Sequence, residues 1–238
     1  ELKDVVENGG RLPTEEHAGA VLNAVLNSGI NFIDTAWCYD RSEEFIGRFI
    51  SHRRDEYVIA TKCGHWWRND PDHSGWSPEG MMNCIDQSLR RLKTDHVDIL
   101  QLHNATPDDV RTHDSISTLK EIQTQGKARF IGISTVLPYI EEFMEMGIFD
   151  TFQIPYSAME PEHDEVIQRA AEKGIGTIIR GGVALGTPSL EDAAKRQTGV
   201  TVRNRWETAD LGSLAPEIDP MEMMLRFTAS HPHIHSII

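Results

Sequence analysis

Apolar residues follow two alternating rhythms along this chain. Short, near-continuous hydrophobic runs read as strands: NFIDTA (31–36), YVIATKC (57–63), HVDILQLH (96–103), ARFIGIS (128–134), TFQIPY (151–156), GIGTIIR (174–180) and HIHSII (233–238). Between them, apolar positions recur at helical spacing over 14–28, 42–52, 77–92, 114–125, around 138–146, 161–173 and 220–230. In the first of these segments Ala18, Val21, Leu22, Val25 and Leu26 share one face, with Thr14 as N-cap and Gly29 as the stop. Pro78 takes the first position of the third helix, where its missing N–H costs nothing. The stretch 181–219 fits neither rhythm.

Strands that are apolar throughout, each followed by a helix, predict a parallel sheet covered on both faces. About seven such units exceed the usual doubly wound sheet, which would also carry a Gly-rich phosphate turn after its first strand. Here Asn31–Asp34 leads into Thr-Ala-Trp-Cys-Tyr instead. The expected class is therefore α/β, a (β/α)8 TIM barrel forming a single domain over 1–238. The count is one βα unit short of eight, so the barrel is expected to be incomplete at both ends of the visible chain.

Composition narrows the partners. The 238 residues are 39% apolar and 25% charged, with a formal net charge of −14. That balance argues against nucleic acid and against an anionic membrane surface, both of which select clustered cations. No run approaches the roughly 20 apolar residues of a membrane span, and Glu-Leu-Lys-Asp at the start lacks an apolar signal region. Cys38, Cys63 and Cys84 have no metal-ligand spacing and suit a reducing compartment, so the expected location is cytoplasmic. The oligomeric state is left open.

In a barrel the active site lies where strands end. Reading those ends in order gives Asp34, Lys62, His103, Ser134, Gln153 and Arg180. Any one could simply mark a strand meeting its loop. Six on a common rim would converge, bringing an acid, an ammonium and an imidazole within reach of one another. Tyr39 lies in the loop after Asp34. A phenol, with a pKa near 10, is a poor acid at neutral pH. A cation about 4 Å away at an effective dielectric of ~20 favours the phenolate by about 4 kcal/mol. Lys62 would supply that charge, Asp34 would keep Lys62 protonated and aimed, and His103 would orient a carbonyl oxygen. Such a set suits protonation of an oxygen becoming an alkoxide. It contains no nucleophile–base pair and no metal cage. No side chain donates hydride, so a nicotinamide or flavin is implied.

At these residues the chain resembles the aldo-keto reductases. GINFIDTAWCYDRSEEFIG (29–47) is similar to that family's first signature, ATK (60–62) supplies the matching Lys62, and VDILQLH (97–103) the matching His103. FIGIS (130–134) and FQIPYS (152–157) resemble the strands whose Ser134 and Gln153 would hold a nicotinamide carboxamide. The resemblance implies a (β/α)8 barrel, carbonyl reduction with Tyr39 as acid, a small-molecule carbonyl substrate, and NADP as cofactor, with NAD possible. Several positions depart from the pattern. Asp40 replaces the usual Gly and is expected to face solvent. Thr135 replaces the usual Asn beside the carboxamide. Arg180, in RGGVALG (180–186), stands where an aromatic would stack on the nicotinamide ring.

Other features divide between function and packing. Trp37, Trp66, Trp67 and Trp76 fall in rim loops, where they form a substrate wall or pack the surface. HPHIH (231–235) looks metal-like, but His233 and His235 open a strand at the wrong rim; His65 and His73 lack supporting carboxylates. Met221, Met223, Met224 and Leu225 read as helix core, and Cys63 as a buried, inert thiol. Segment 181–219, with Trp206, is either a flap or disordered. Two other functions compete with a reductase. One is a regulatory, redox-sensing subunit that binds cofactor with little turnover. The other is a metal-dependent barrel hydrolase, which would need a His-x-His where TAW stands.

Overall fold

Helix α1 (Glu15–Asn27) begins where the Thr14 hydroxyl accepts the His17 N–H at 3.2 Å, the cap expected from the sequence. The computed structural model describes residues 14–64, 75–184, 204–214 and 216–238. The inward stripe of α1 differs from the predicted one: Gly19 and Leu26 are buried, whereas Val21 is exposed. Gly19 lies against the Phe49 ring, where an added Cβ would stand 2.7 Å from Cδ1. That close approach turns the Gly19–Leu26 row inward and carries Val21 outward.

The chain divides into two compact units. The first contains residues 1–134 and 146–149. Its strands β1 (Phe32–Asp34), β2 (Val58–Cys63), β3 (Val97–His103) and β4 (Ala128–Ser134) run parallel and in sequence order. Parallel neighbours require crossovers, and α2 (Ser42–Phe49), α3 (Pro78–Leu92), α4 (Pro107–Thr112) and α5 (Ser115–Thr124) supply them. Ser77 caps α3 with Pro78 in its first turn, as expected. The predicted first strand, 31–36, shortens to three residues because the backbone turns toward the loop. Even so, Thr35 N–H donates to Ala60 O at 2.9 Å and Trp37 N–H to Lys62 O at 3.2 Å. The predicted second helix also stops early, giving way to a 3₁₀ segment over Ser51–Glu56.

One polar residue fixes the entry to β3. Asp98 is buried, and its carboxylate accepts Ile59 N–H at 2.9 Å, Arg54 Nη2 at 2.7 Å and Arg129 Nη1 at 3.0 Å. Burial alone would raise its pKa. The Ile59 amide and the two guanidiniums outweigh that and hold the carboxyl below the usual value. A depressed folded-state pKa gives stability that is complete above the unfolded Asp value, near 3.9, and is lost as pH falls through the folded value. Denaturant unfolding measured from pH 6 down to 2 is therefore expected to show a shallower acid decline in Asp98→Asn than in the parent. Identical slopes would contradict this account.

The second unit contains residues 135–145 and 150–238. Its strands β5 (Thr151–Pro155), β6 (Gly176–Arg180) and β7 (Ser236–Ile237) are again parallel and sequential. The helices are α6 (Tyr139–Met146), α7 (Asp164–Glu172) and α8 (Pro220–Ala229). A 3₁₀ turn, Pro161–His163, occupies the start of the predicted 161–173 helix. On α8 only Met224 and Thr228 are buried, one turn apart, so Leu225 lies off that stripe and is exposed, contrary to the expected Met–Leu core. Met224 packs with Met159 and Ala184, and Trp206 covers them. This assigns Trp206 to packing, while 185–203 lies outside the described residues. The predicted final strand, 233–238, shortens to Ser236–Ile237; ahead of it His235 N–H donates to Thr177 O at 3.1 Å, while Thr177 N–H and Oγ1 donate to His235 Nδ1 and His233 O. Among the described residues no group of metal-ligating side chains could hold an ion.

Candidate active site

The first unit assembles Asp34, Tyr39, Lys62 and His103 from consecutive strands. Lys62, almost completely buried, points its ammonium at Asp34 Oδ2 and donates to Thr35 O at 3.0 Å. The other Asp34 oxygen accepts Gln101 Nε2 at 3.2 Å. A buried ammonium keeps its proton when a carboxylate and a carbonyl both face it. This ammonium lies over the Tyr39 ring, 5.1 Å from its centroid. Tyr39 in turn meets His103 edge-to-face, with centroids 5.8 Å apart at 80°. The sequence-predicted acid, cation, counter-ion and imidazole thus form one contiguous chain of contacts.

The loop carrying Tyr39 is tied by local turns and by α3. Tyr39 N–H donates to Ala36 O at 3.0 Å, and Ser42 N–H to Tyr39 O at 2.8 Å. Asp40 has φ of 43° and is exposed, facing solvent as expected. Its left-handed backbone explains why glycine suits this position and why aspartate is tolerated there. Trp37 Nε1 donates to Gln87 Oε1 at 3.2 Å, and its ring receives the Arg91 guanidinium 5.5 Å from the centroid. Both of these ring contacts are with α3. Trp76 is buried against Gly64, where an added Cβ would lie 2.1 Å from the indole, so it closes the loop base. Trp66, Trp67, His65 and His73 lie outside the described residues.

Ser134 is buried at the end of β4, in register with His103. In the second unit Thr135 and Gln153 are buried as well, and Thr135 N–H donates to Gln153 O at 3.1 Å. Arg180 ends β6 opposite Pro155, and its carbonyl accepts Tyr156 N–H at 3.3 Å. Arg180 also lies in the field of Glu160 and His163. Burial, reinforced by Glu162, raises the Glu160 carboxyl, with Arg180 and Arg205 opposing; burial lowers the His163 imidazole. Amide and hydroxyl side chains such as Gln153 and Thr135 offer the donors and acceptors that a carboxamide needs, so this donor set fits a nicotinamide.

The thiols are all free. Cys63 is buried, as expected, and burial together with the neighbouring Cys63 thiol pushes the Cys84 thiol up. Two contacts of the site, those of Gln101 and Cys38, go beyond what the sequence pattern predicts. Gln101 is detectable as an amide between two leucines and two residues before His103, hence on the same strand face. Cys38, whose Sγ stands 3.5 Å from His103 Nδ1, had no comparable signal.

Comparison with known proteins gives the family and the fold. The model of the Aldo/keto reductase family matches residues 6–237. The chain is 29% identical to the uncharacterized oxidoreductase YqkF of Bacillus subtilis, over 95% of this chain and 79% of that protein. It is 32% identical to the aldo-keto reductase YhdN of the same organism, over 69% and 51%. A third relative, the NADH-specific methylglyoxal reductase of Escherichia coli, is 29% identical over 62% and 50%. The chain therefore spans about half the length of some of its relatives. Among solved structures, the holo form of the aldo-keto reductase AKR11C1 from Bacillus halodurans superposes with a TM-score of 0.80 at 26% identity. That match covers 94% of this chain and 76% of the other. The fold class is thereby the (β/α)8 barrel expected from the alternating pattern.

Proposed function

This chain belongs to the aldo/keto reductase family of NAD(P)H-dependent carbonyl oxidoreductases, and on that premise we propose how its own residues share the reaction. Tyr39 gives its phenolic proton to the carbonyl oxygen. The Lys62 ammonium stabilises the phenolate left behind, Asp34 holds Lys62 charged and in place, and His103 donates a hydrogen bond that aligns the same oxygen. A nicotinamide held by this chain would supply hydride to the carbonyl carbon. Ser134, Thr135 and Gln153 would hold its carboxamide, and Arg180 would stack on its ring. One observation carries the reading: a buried ammonium, fixed by a carboxylate, lies over the Tyr39 ring.

The proposed substrate is a small aldehyde or ketone. Trp66 and Trp67 would provide apolar contact, and Trp37 would hold the loop through α3. NADPH is the proposed reductant. NADH is the second reading, supported by the name of the Escherichia coli relative. Three free thiols support a reducing, cytoplasmic setting. The test follows cofactor absorbance with a panel of aldehydes and ketones, using NADPH and NADH in parallel. Carbonyl-dependent loss of absorbance, faster with NADPH, is the expected result. Cofactor binding without oxidation by any carbonyl would overturn the assignment in favour of a cofactor-sensing subunit.

A further inference from the structure

We propose that Cys38 is a positioning residue that fixes His103 as the tautomer with hydrogen on Nε2, the form able to donate to a carbonyl oxygen. The inference rests on the carbonyl-reducing role given above to His103. A neutral imidazole has one N–H and one bare nitrogen, and which is which depends on the partner of the ring's other side. In this structure the Cys38 thiol faces Nδ1 at 3.5 Å. A thiol is a weak donor and a weak acceptor, whereas a bare imidazole nitrogen is a much better acceptor than sulfur, so the arrangement we infer has S–H donating to Nδ1. The hydrogen then resides on Nε2, on the far side of the ring from Cys38. With the opposite tautomer a lone pair would face the substrate oxygen, and His103 would repel the group it must align.

The same loop that delivers the acid delivers this contact. Cys38 precedes Tyr39, and the Tyr39 ring meets the His103 ring edge-on, with centroids 5.8 Å apart. The thiol therefore sets which nitrogen donates, and the phenol ring limits rotation about the imidazole axis. His103 is buried, which limits the access of solvent to this contact.

The experiment combines spectroscopy with kinetics. In protein labelled with 15N-histidine, long-range 1H–15N correlation distinguishes the two tautomers of His103. The parent should show a bare Nδ1 and a protonated Nε2; Cys38→Ser should keep that pattern, and Cys38→Val should lose or mix it. A single hydrogen bond contributes about 1 kcal/mol, so Cys38→Val should lower kcat by roughly 3- to 10-fold. Its KM for NADPH should be unchanged, and Cys38→Ser should restore most of the rate. If Cys38→Val fails to fold, Cys38→Ala and the parent spectrum decide. A protonated Nδ1 in the parent, or a Val variant with unchanged spectrum and kcat, overturns the proposal. Should the parent reduce no carbonyl, the functional assignment fails, and the tautomer spectrum still tests the role of Cys38.

Discussion

Tyr39→Phe is expected to lower kcat by about 10²- to 10⁴-fold, the usual worth of a positioned general acid. The Kd for the nicotinamide cofactor should stay within about twofold. The substitution removes one oxygen and keeps the ring. Phenylalanine preserves the edge-to-face contact with His103 and the cation over the ring, so the surrounding geometry stays in place. What disappears is the proton that the carbonyl oxygen must receive. Cofactor fluorescence titration measures binding and steady-state rates measure turnover. A Phe variant within threefold of the parent kcat would remove Tyr39 from the mechanism and with it the present assignment of roles.

The second large effect falls on the ion pair. Lys62→Met keeps the length of the side chain and deletes the charge, leaving the Asp34 carboxylate, which also accepts Gln101 Nε2, without its ammonium. Both members are sequestered, their side chains 1% and 9% exposed. Breaking a buried pair from one side costs about 3–5 kcal/mol, because an uncompensated charge is left behind. The same change also withdraws the cation from the phenol, so turnover should fall with stability. Combining Lys62→Met with Asp34→Asn separates the two effects. The double variant should recover most of the lost stability in urea unfolding, since no lone charge remains, while kcat stays at the level of Lys62→Met. Additive losses in stability would show that the two groups are not coupled.

Much of this site is legible in the amino-acid sequence for a physical reason. Parallel strands are apolar on both faces, so a polar residue near the end of such a run stands out. Asp34, Lys62 and His103 each do so, and the phenol follows in the next loop. Interior partners are harder to see. Gln101 and Cys38 meet groups 67 and 65 positions away in the chain, and periodicity does not encode contacts between neighbouring strands. Helix faces illustrate the same limit. The apolar stripe on α1 is wider than the part that is buried, and the choice between Val21 and the Gly19–Leu26 row is made by the Phe49 ring on another helix. Loops add a further one: Trp37 and Trp76 both read as rim aromatics, yet one is engaged by α3 and the other is buried against Gly64.

The attachment of the Tyr39 loop to α3 has a consequence for how the reaction is organised. Arg91 Nη1 holds the Trp37 carbonyl at 3.0 Å, and the same guanidinium pairs with Glu43, whose carboxylate accepts the Thr61 hydroxyl at 2.7 Å. These tethers approach the loop from behind, through a helix and a strand that no substrate has to touch. The loop is thus tied down without any help from a ligand, and on the proposed mechanism little reorganisation entropy would remain to be lost on the way to the transition state.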